Sequence, residues 1–303
     1  MEIGISDKIR PLPEAVGLIP DGSQVALGGW VITRCSMAFV HEMVRQKKKG
    51  LVVSERMGGM DADLLVGAGC VSKLIYPGGS LEPAFGFLNR INDAIVNEEI
   101  EAEEYTGTAM CFKYLAGALG LPYMPIKSLL GSDTLASLVS KFASVKVAEC
   151  PFTGEKLVLL RALNPDYAVI HVQRVDTDGN AWIYGPLWDT KEMAMASKKI
   201  IVTAEEIVDP SLTRMDAART IIPGYRVDVI VHVPYGAHPT AVYKYYDYDA
   251  EHIALYAKVA RQKETFEKYL EEYVLGVESH ECYLRKIGIK RISELRADPM
   301  LGY

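Results

Sequence analysis

A glycine pair stands at the end of an apolar run and is followed by an arginine and a serine. The run SQVALGGWVITRCS covers residues 23–36 and holds Gly28, Gly29, Arg34 and Ser36. Glycines that end a buried strand expose backbone N–H groups, which can hold an anion or a developing oxyanion. An arginine beside them can hold a carboxylate through two hydrogen bonds. The pattern fits a site for an acidic ligand and a tight turn with Ser36 as a helix N-cap equally well.

Three more polar side chains follow strand-like or glycine-rich segments. Glu55 in VVSERMGG is either a nucleophile or base at a strand end or, more commonly, an exposed loop acid. Ser80 in YPGGS either bonds a substrate oxygen or belongs to a plain turn. His238 in YGAHP is either a site residue or a histidine whose ring nitrogens bond backbone groups, and we favour the second.

Signatures of several other chemistries are missing from the sequence. The six histidines and five cysteines show no HExxH, no CxxC and no spacing typical of a metal site. The glycine pair is not a GxGxxG fingerprint, and no P-loop, kinase signature or GxSxG elbow occurs. We therefore expect neither a metal nor a bound cofactor.

Composition limits the class of protein. The net charge is −6 and 49% of residues are hydrophobic, which is ordinary for a soluble globular chain. No basic excess could neutralise a phosphate backbone, so we do not expect nucleic acid as a partner. No apolar stretch is long enough to span a membrane, and the N-terminus lacks a signal-peptide pattern. The odd, dispersed cysteines favour reduced thiols, and we expect a cytoplasmic protein.

Strand-like and helix-like segments alternate along the chain. Apolar runs typical of strands lie at 23–30, 51–54 and 72–76, and helical spacing occurs at 36–46, 60–69, 84–98 and 108–120. Further strands are predicted in EIEAEEY, KLVLLRA, YAVIHVQRV, IIVTAEEIV and YRVDVIVHVPYG, with a hairpin turn at 178–180. The alternation predicts an α/β fold with an open, mostly parallel sheet sandwiched by helices.

An amphipathic pattern continues over residues 249–275 and predicts one long helix. We therefore divide the chain into an α/β domain, 1–248, and a helical C-terminal extension, 249–303, that packs on the domain or on a partner subunit.

Six segments together carry a family resemblance. They are ALGGWVITRCSMAFVHEMVRQ, GLPYMPIKSLLGSD, HVQRVDTDGNAWIYG, IIVTAEEIV, VPYGAHPTAVYKYYDYD and the terminal LGY. In this order they resemble the α subunits of family I CoA-transferases, in particular those of the glutaconate CoA-transferase type. The resemblance extends over nearly the whole chain, and PYGAHP followed by YDYD is its most specific part.

The resemblance implies an α/β sandwich shared by two kinds of subunit, which form an αβ heteromer. It also implies ping-pong chemistry, in which a glutamate of the β-type partner attacks an acyl-CoA thioester. The resulting glutamyl-CoA thioester then passes CoA to a second carboxylate. Coenzyme A is a substrate in this scheme, no cofactor is bound, and the nucleophile does not lie in the present chain.

The α-type chain would instead complete the acyl pocket. The resemblance implies substrate-binding roles for Gly28, Gly29, Trp30, Arg34, Ser80, Gln173 and His238. Cys35 stands where the family commonly has lysine, which argues against a second carboxylate on the substrate. Ser54-Glu55 departs from the small residues expected there. Glu55 is therefore either an unrelated loop acid, which we favour, or a second carboxylate near the site.

Two other functions stay open. Steroid-ring hydrolases of the same fold use an acidic residue after the strand that matches EAEE, where this chain has Gly107. Related folds also include non-catalytic modules that bind acyl groups or sugar phosphates.

The segment PYGAHPTAVYKYYDYD (234–249) contains five tyrosines. Tyrosine gives a large contact area with a polar tip. We predict that this segment packs against the partner subunit, with packing inside the chain as the alternative.

Overall fold

The computed structural model describes residues 7–298 together with 300 and 301. Part of the terminal LGY segment, Gly302 and Tyr303, lies outside the described residues.

Most strands belong to one sheet. The strands of the chain are β1 (Gln24–Leu27), β2 (Leu51–Ser54), β3 (Val71–Tyr76), β4 (Glu101–Glu104), β5 (Tyr123–Ile126), β6 (Val145–Glu149), β7 (Lys156–Arg161), β8 (Tyr167–Asp176), β9 (Ala181–Trp182), β10 (Lys199–Val208), β11 (Thr220–Ile222) and β12 (Val229–His232). Seven of them run parallel in the order β12-β10-β8-β1-β2-β3-β4. The predicted open parallel sheet is confirmed.

The strand order reverses direction between β1 and β8. From β1 the chain proceeds outward through β2, β3 and β4, whereas β8, β10 and β12 extend the sheet on the other side. In open α/β sheets such a switch point leaves a crevice at the carboxyl ends of the two strands, and ligands bind there. The glycine pair at 28–29 directly follows β1, so it lies at this crevice.

Smaller pieces complete the β structure. β9 pairs antiparallel with the far end of β8 and with β11, and Gly179 takes a φ of +100° in the predicted hairpin turn. β5, β7 and β6 form a separate antiparallel sheet. This second sheet is not predicted by the sequence pattern, because β5 and β6 are short and largely exposed and therefore give only a weak apolar signal.

Helices cover both faces of the sheet. They are α1 (Leu12–Gly17), α2 (Met37–Arg45), α3 (Met60–Gly67), α4 (Asn89–Val96), α5 (Gly107–Ala118), α6 (Asp133–Lys141), α7 (Thr190–Ala196), α8 (Pro210–Met215), α9 (Ala250–Val259), α10 (Lys263–Leu270), α11 (His280–Ile287) and α12 (Ile289–Glu294). The predicted helix at 84–98 is shorter than expected and begins only at Asn89.

Alternate residues of the strands enter different cores. Val25 and Leu27 of β1 pack with α1 to α4, while Ala26 faces a second core with α5 and the small sheet. A third core covers the β8–β10 side. Each face of the sheet is therefore buried, as expected of parallel strands.

The C-terminal segment is helical but not continuous. The single helix predicted over 249–275 is wrong: α9 ends at Val259, α10 begins at Lys263, and a π-helical turn follows at Glu271–Leu275. The Thr265 hydroxyl bonds the Val259 carbonyl and stabilises the break. Ile253 and Phe266 of this segment belong to the same core as β1. The division at residue 248 stays a prediction.

Candidate active site

The segment after β1, residues 28–35, is called here the glycine loop. Gly28 donates its backbone N–H to the Val169 carbonyl of β8 at 2.9 Å. Gly29 has a φ of +117°, and a Cβ there would lie 2.8 Å from the Arg34 carbonyl oxygen, so no other residue fits. Val31 and Arg34 also have positive φ, at 50° and 55°. Such strain in a β-branched residue is rare, and it concentrates at functional sites.

The PYGAHPTA segment holds the glycine loop in place. Arg34 donates its backbone N–H to the Ala241 carbonyl, and Ala241 donates to the Ile32 carbonyl, both at 2.8 Å. The Cys35 N–H donates to the Thr240 hydroxyl at 3.2 Å. The segment directly follows the core strand β12, and these bonds connect it to the glycine loop and fix the conformation of that loop.

Arg34 lies inside the protein, with only 1% of its surface exposed. Its guanidinium donates to the carbonyls of His171 at 3.3 Å and Pro186 at 3.0 Å. Burial lowers the pKa of Arg34 to about 10. The side chain joins the glycine loop to the segment after β9, and its role in holding a carboxylate stays a prediction.

Two tryptophans and two arginines form a column beside the loop. The rings of Trp30 and Trp188 stack with centroids 5.1 Å apart and planes 11° apart. The Arg56 guanidinium lies 5.2 Å from the Trp30 ring, and that of Arg34 lies 5.6 Å from the Trp188 ring. Cation–π contacts of this kind are worth about 0.5–2 kcal/mol each and restrict the rings.

Arg56 is a candidate site residue that the sequence analysis missed. Its Nε has no hydrogen-bond partner, and the nearest carboxylate, Asp189, is 4.0 Å away. A Cβ on Gly107 would lie 2.1 Å from Arg56 Nη1, so the guanidinium lies against the start of α5. The side chain is partly exposed. Its position directly after Glu55, at a strand end, was the available signal.

The prediction that Glu55 is an exposed loop acid is wrong. Only 2% of Glu55 is exposed, and neither carboxylate oxygen makes a hydrogen bond. The segment that follows β2 pairs with the segment that follows β3 through a β-bridge between Gly58 and Gly79. Burial, and then the charge of Asp61, raise the pKa of Glu55 well above its usual value.

The other predicted site residues differ in their surroundings. Ser80 is partly exposed next to the Gly58–Gly79 bridge, and its hydroxyl accepts from the Glu82 N–H at 3.2 Å. Ser36 occupies the N-cap position of α2 but makes no capping bond. Because β1, β2 and β3 are neighbouring parallel strands, their carboxyl ends lie at one edge of the sheet, and Ser80 lies at this edge.

Gln173 and His238 are fully engaged within the chain. The Gln173 amide accepts from the Tyr184 N–H and donates to the carbonyls of Tyr184 and Tyr243, all at 3.1–3.2 Å. His238 bonds the Tyr283 hydroxyl at 2.8 Å and Asp249 at 3.1 Å. Side chains rather than backbone groups therefore satisfy the His238 ring, contrary to the interpretation that we favoured.

Part of the tyrosine-rich segment packs on its own chain. Tyr246 is buried, donates to Glu205 at 2.6 Å and stacks on Tyr235. Tyr245 accepts from Arg174 at 3.1 Å. For Tyr246 the predicted contact with a partner subunit is wrong, because the ring lies in a small core of this chain.

Within residues 7–298, 300 and 301, no group of three His, Cys, Asp or Glu side chains has the geometry of a metal site. In the same described part of the chain, no helix is long and apolar enough to cross a membrane.

Comparison with known proteins decides the family. The coenzyme A transferase family profile matches residues 11–233. The chain belongs to this family. The predicted family resemblance is thereby confirmed, and with it the prediction of an enzyme of the CoA-transferase type.

Three relatives of this CoA-transferase chain are informative. The A-type subunit of 3-oxoadipate CoA-transferase from Pseudomonas knackmussii is 36% identical over 92% of this chain and 98% of its own length. The A-type subunit of glutaconate CoA-transferase from Acidaminococcus fermentans is 32% identical over 98% and 97% of the two chains. The cholesterol ring-cleaving hydrolase IpdA subunit of Rhodococcus jostii is 30% identical over 90% and 93%.

The crystal structure of the Acidaminococcus fermentans glutaconate CoA-transferase matches with a TM-score of 0.93 over 98% of both chains. The predicted fold class is confirmed by this similarity.

Proposed function

We propose that this chain is the A-type subunit of a heteromeric CoA-transferase whose β-type partner carries the nucleophilic glutamate. The enzyme moves CoA between an acyl-CoA and a carboxylic acid in a ping-pong reaction. The partner's carboxylate attacks the thioester carbonyl and expels CoA thiolate, which leaves a mixed anhydride. The thiolate then attacks the glutamyl carbonyl of the anhydride, releases the donor acid as a carboxylate and forms the glutamyl-CoA thioester. The acceptor acid reverses these steps. The names of two relatives, both A-type subunits of CoA-transferases, support this arrangement.

The observation that carries the proposal is the lack of an exposed carboxylate beside the glycine loop. Glu55 and Asp61 lie beside the glycines that contact the loop, Asp189 lies 4.0 Å from Arg56, and each of these three carboxylates is at most 4% exposed. A nucleophile must reach the carbonyl carbon of its substrate. The chain therefore contributes a preorganised wall, and the attacking group comes from elsewhere.

The same wall supplies a positive charge. Arg56, fixed on Trp30, is partly exposed and lacks a hydrogen-bonded acid. It restores the cation that the family's lysine would have given and that Cys35 removes. Glutaconate and 3-oxoadipate, the acids in the names of the two relatives, each carry two carboxyl groups. We infer that Arg56 holds the second carboxylate of such an acid.

A hydrolase is less well supported. The acid that the resemblance assigns to the steroid-ring hydrolases is replaced by Gly107, and the space beyond Gly107 is filled by the Arg56 guanidinium. No carboxylate from that position is available to activate water.

The test is coexpression of this chain with its β-type partner, followed by incubation with a panel of acyl-CoAs and no acceptor. After borohydride reduction, the intact masses of both chains are measured. We expect a mass change on the partner's glutamate and none on this chain. Free CoA without an adduct on either chain would identify a hydrolase, and an adduct at Glu55 would reverse the roles of the two subunits.

A further inference from the structure

A cavity of about 430 Å³ lies at the carboxyl edge of the sheet, beside β8 and β10. This volume is typical of ligand sites. Arg174 and Glu206, which pair near the carboxyl ends of these two strands, line the cavity. The other lining residues belong to the segments after β9 and before β11, the tyrosine-rich segment and the C-terminal segment: Tyr184, Arg219, Lys244, Tyr245, Arg296 and Ala297. None of them belongs to the glycine loop.

Two of the four cationic side chains in this cavity are already neutralised. Arg174 donates to Glu206 at 2.8 Å and to the Tyr245 hydroxyl at 3.1 Å. Arg219, which is half exposed, pairs with Asp216 three residues earlier. Among the described residues that line the cavity, no further carboxylate is left for the other two cations.

Those two cations, Lys244 and Arg296, are exposed and carried by neighbouring segments. Tyr246 forms antiparallel β-bridges with both Val242 and Arg296, so the turn that carries Lys244 packs directly on the C-terminal segment. In the part of the chain that the structure describes, neither side chain forms an ion pair or a hydrogen bond. The Lys244 ammonium instead lies 5.5 Å from the centre of the Tyr184 ring.

The charge of the cavity indicates what it binds. Four cations face two paired carboxylates, which leaves an excess of two positive charges on a chain whose net charge is −6. Such a local excess attracts an anion. A carboxylate supplies one negative charge, whereas a phosphate monoester supplies about 1.5 to 2 at pH 7 and three acceptor oxygens. A phosphate group therefore matches the excess better than a carboxylic acid does.

The segments that carry the cavity also hold the glycine loop. Pro186, two residues after Tyr184, accepts from the Arg34 guanidinium at 3.0 Å. Ala241, three residues before Lys244, accepts from the Arg34 N–H at 2.8 Å. A ligand in the cavity therefore contacts both segments that fix the conformation of the loop.

We propose that Lys244 and Arg296 hold the phosphate groups of a nucleotide-sized ligand in this cavity. A phosphate group alone does not fill about 430 Å³, and Tyr184 and Tyr245 add the aromatic surface that suits a nucleobase. Coenzyme A and a free nucleotide share this chemistry. Coenzyme A as the source rests on the proposed function, whereas the phosphate site itself does not.

The first experiment is isothermal titration calorimetry of the full chain, without its partner, using adenosine 3′,5′-bisphosphate and adenosine as probes. We expect the bisphosphate to bind and adenosine to show no binding. Lys244→Ala weakens binding of the bisphosphate about tenfold, and Lys244→Ala/Arg296→Ala weakens it about 100-fold, as expected for lost charge-assisted hydrogen bonds. The proposal fails if the wild-type chain binds both probes equally, binds neither, or binds no better than the double variant.

Lys258→Ala/Arg261→Ala is the matched control. It removes an exposed lysine and an exposed arginine at the end of α9, outside the cavity lining, and changes the net charge by the same amount. We expect its affinity to stay within about twofold of wild type, because distant exposed charges are screened. Lys244→Arg keeps the charge and should retain binding, which separates the loss of charge from a loss of fold. An equal loss in the Lys258→Ala/Arg261→Ala control would show that overall charge, and not the cavity, binds the probe.

The second experiment distinguishes the two sources in the complex with the β-type partner. Competition of the bisphosphate with acyl-CoA, weakened about tenfold by the Lys244→Ala/Arg296→Ala variant, would assign the cavity to the phosphate groups of CoA. Calorimetric binding without competition would assign it to a free nucleotide. A complex that exchanges no CoA would defeat the proposed function alone, because calorimetry on the chain still decides the phosphate site. Loss of copurification with the partner in the double variant, when the wild-type chain binds no bisphosphate, would assign the cavity to the partner and refute the proposal.

Discussion

At the scale of single residues, Arg34 and Arg56 differ in how their guanidinium groups are bonded. Arg34 stands in the segment that carries the resemblance, yet its guanidinium is buried and donates to two backbone carbonyls. Arg56 stands outside those segments, but it lies on Trp30 with an unpaired Nε. Arg34 has a left-handed backbone and a buried side chain, whereas the Arg56 side chain is partly exposed.

Arg56→Gln therefore separates dicarboxylic from monocarboxylic acceptors. Glutaconate and crotonate share a carbon skeleton apart from one carboxylate, so they form a matched pair. Loss of a charge-assisted hydrogen bond costs about 1.5–3 kcal/mol, and we expect kcat/KM for glutaconate to fall about 10- to 150-fold. Crotonate stays within a few-fold of wild type.

The measurement is CoA exchange from acetyl-CoA in the complex with the partner. Arg174→Gln is the control. Arg174 lies near the carboxyl end of β8 and is already paired with Glu206 at 2.8 Å, so its charge is not available to a substrate. Equal losses for both acids in Arg56→Gln would show that Arg56 shapes the loop and does not read the second carboxylate.

At the scale of elements, the site depends on loops that are tied to one another. Gln173 of β8 joins the segment after β9 to the tyrosine-rich segment through Tyr184 and Tyr243. The resemblance implies a substrate role for Gln173, but its amide oxygen and nitrogen both bond backbone groups of this chain. We interpret it as the tie between the two segments.

Gln173→Glu tests that interpretation. A carboxylate accepts from the Tyr184 N–H but cannot donate to the carbonyls of Tyr184 and Tyr243, which are left facing a negative charge. We expect a loss of about 2–3 kcal/mol in the free energy of unfolding by urea. The exposed Gln262→Glu serves as the control and changes stability by at most about 0.5 kcal/mol. A Gln173→Glu protein as stable as wild type would contradict the tie.

Local pattern explains which elements could be predicted. Strands β1, β2 and β3 are apolar runs followed by glycines, so their existence and their shared edge follow from the sequence. The small sheet and the break after Val259 escaped prediction, because tertiary contacts fix them. The buried state of Glu55 escaped for a related reason: a glutamate between a strand and two glycines has no local signal of burial.

At the scale of the whole molecule, histidines join the C-terminal helices to the body. His41 of α2 has its ring 5.0 Å from that of Tyr283 on α11, and neither ring nitrogen has a hydrogen-bond partner. His252 of α9 and His280 of α11 are also buried. Burial lowers the pKa of His41 well below its usual value, that of His252 to about 3 and that of His280 to about 4.

These histidines make the packing of the C-terminal helices sensitive to acid. A histidine whose folded pKa is lowered contributes its full stability above its unfolded pKa, near 6.5, and that stability is lost as the pH falls towards the folded value. Between these limits the unfolded chain binds one more proton at each histidine. Each therefore removes about 1.4 kcal/mol per pH unit.

His41→Leu isolates one such contribution. Leucine fills the site without a titratable group, so the free energy of unfolding should fall less steeply from pH 6 to 5, by about 1.4 kcal/mol per pH unit. Urea unfolding at several pH values measures the slope, and His232→Gln, which replaces an exposed histidine, serves as the comparison. An unchanged slope in His41→Leu would mean that the acid sensitivity lies elsewhere. A reduced slope would locate it where α2 meets α11, the contact that attaches the C-terminal helices to the helix following the glycine loop.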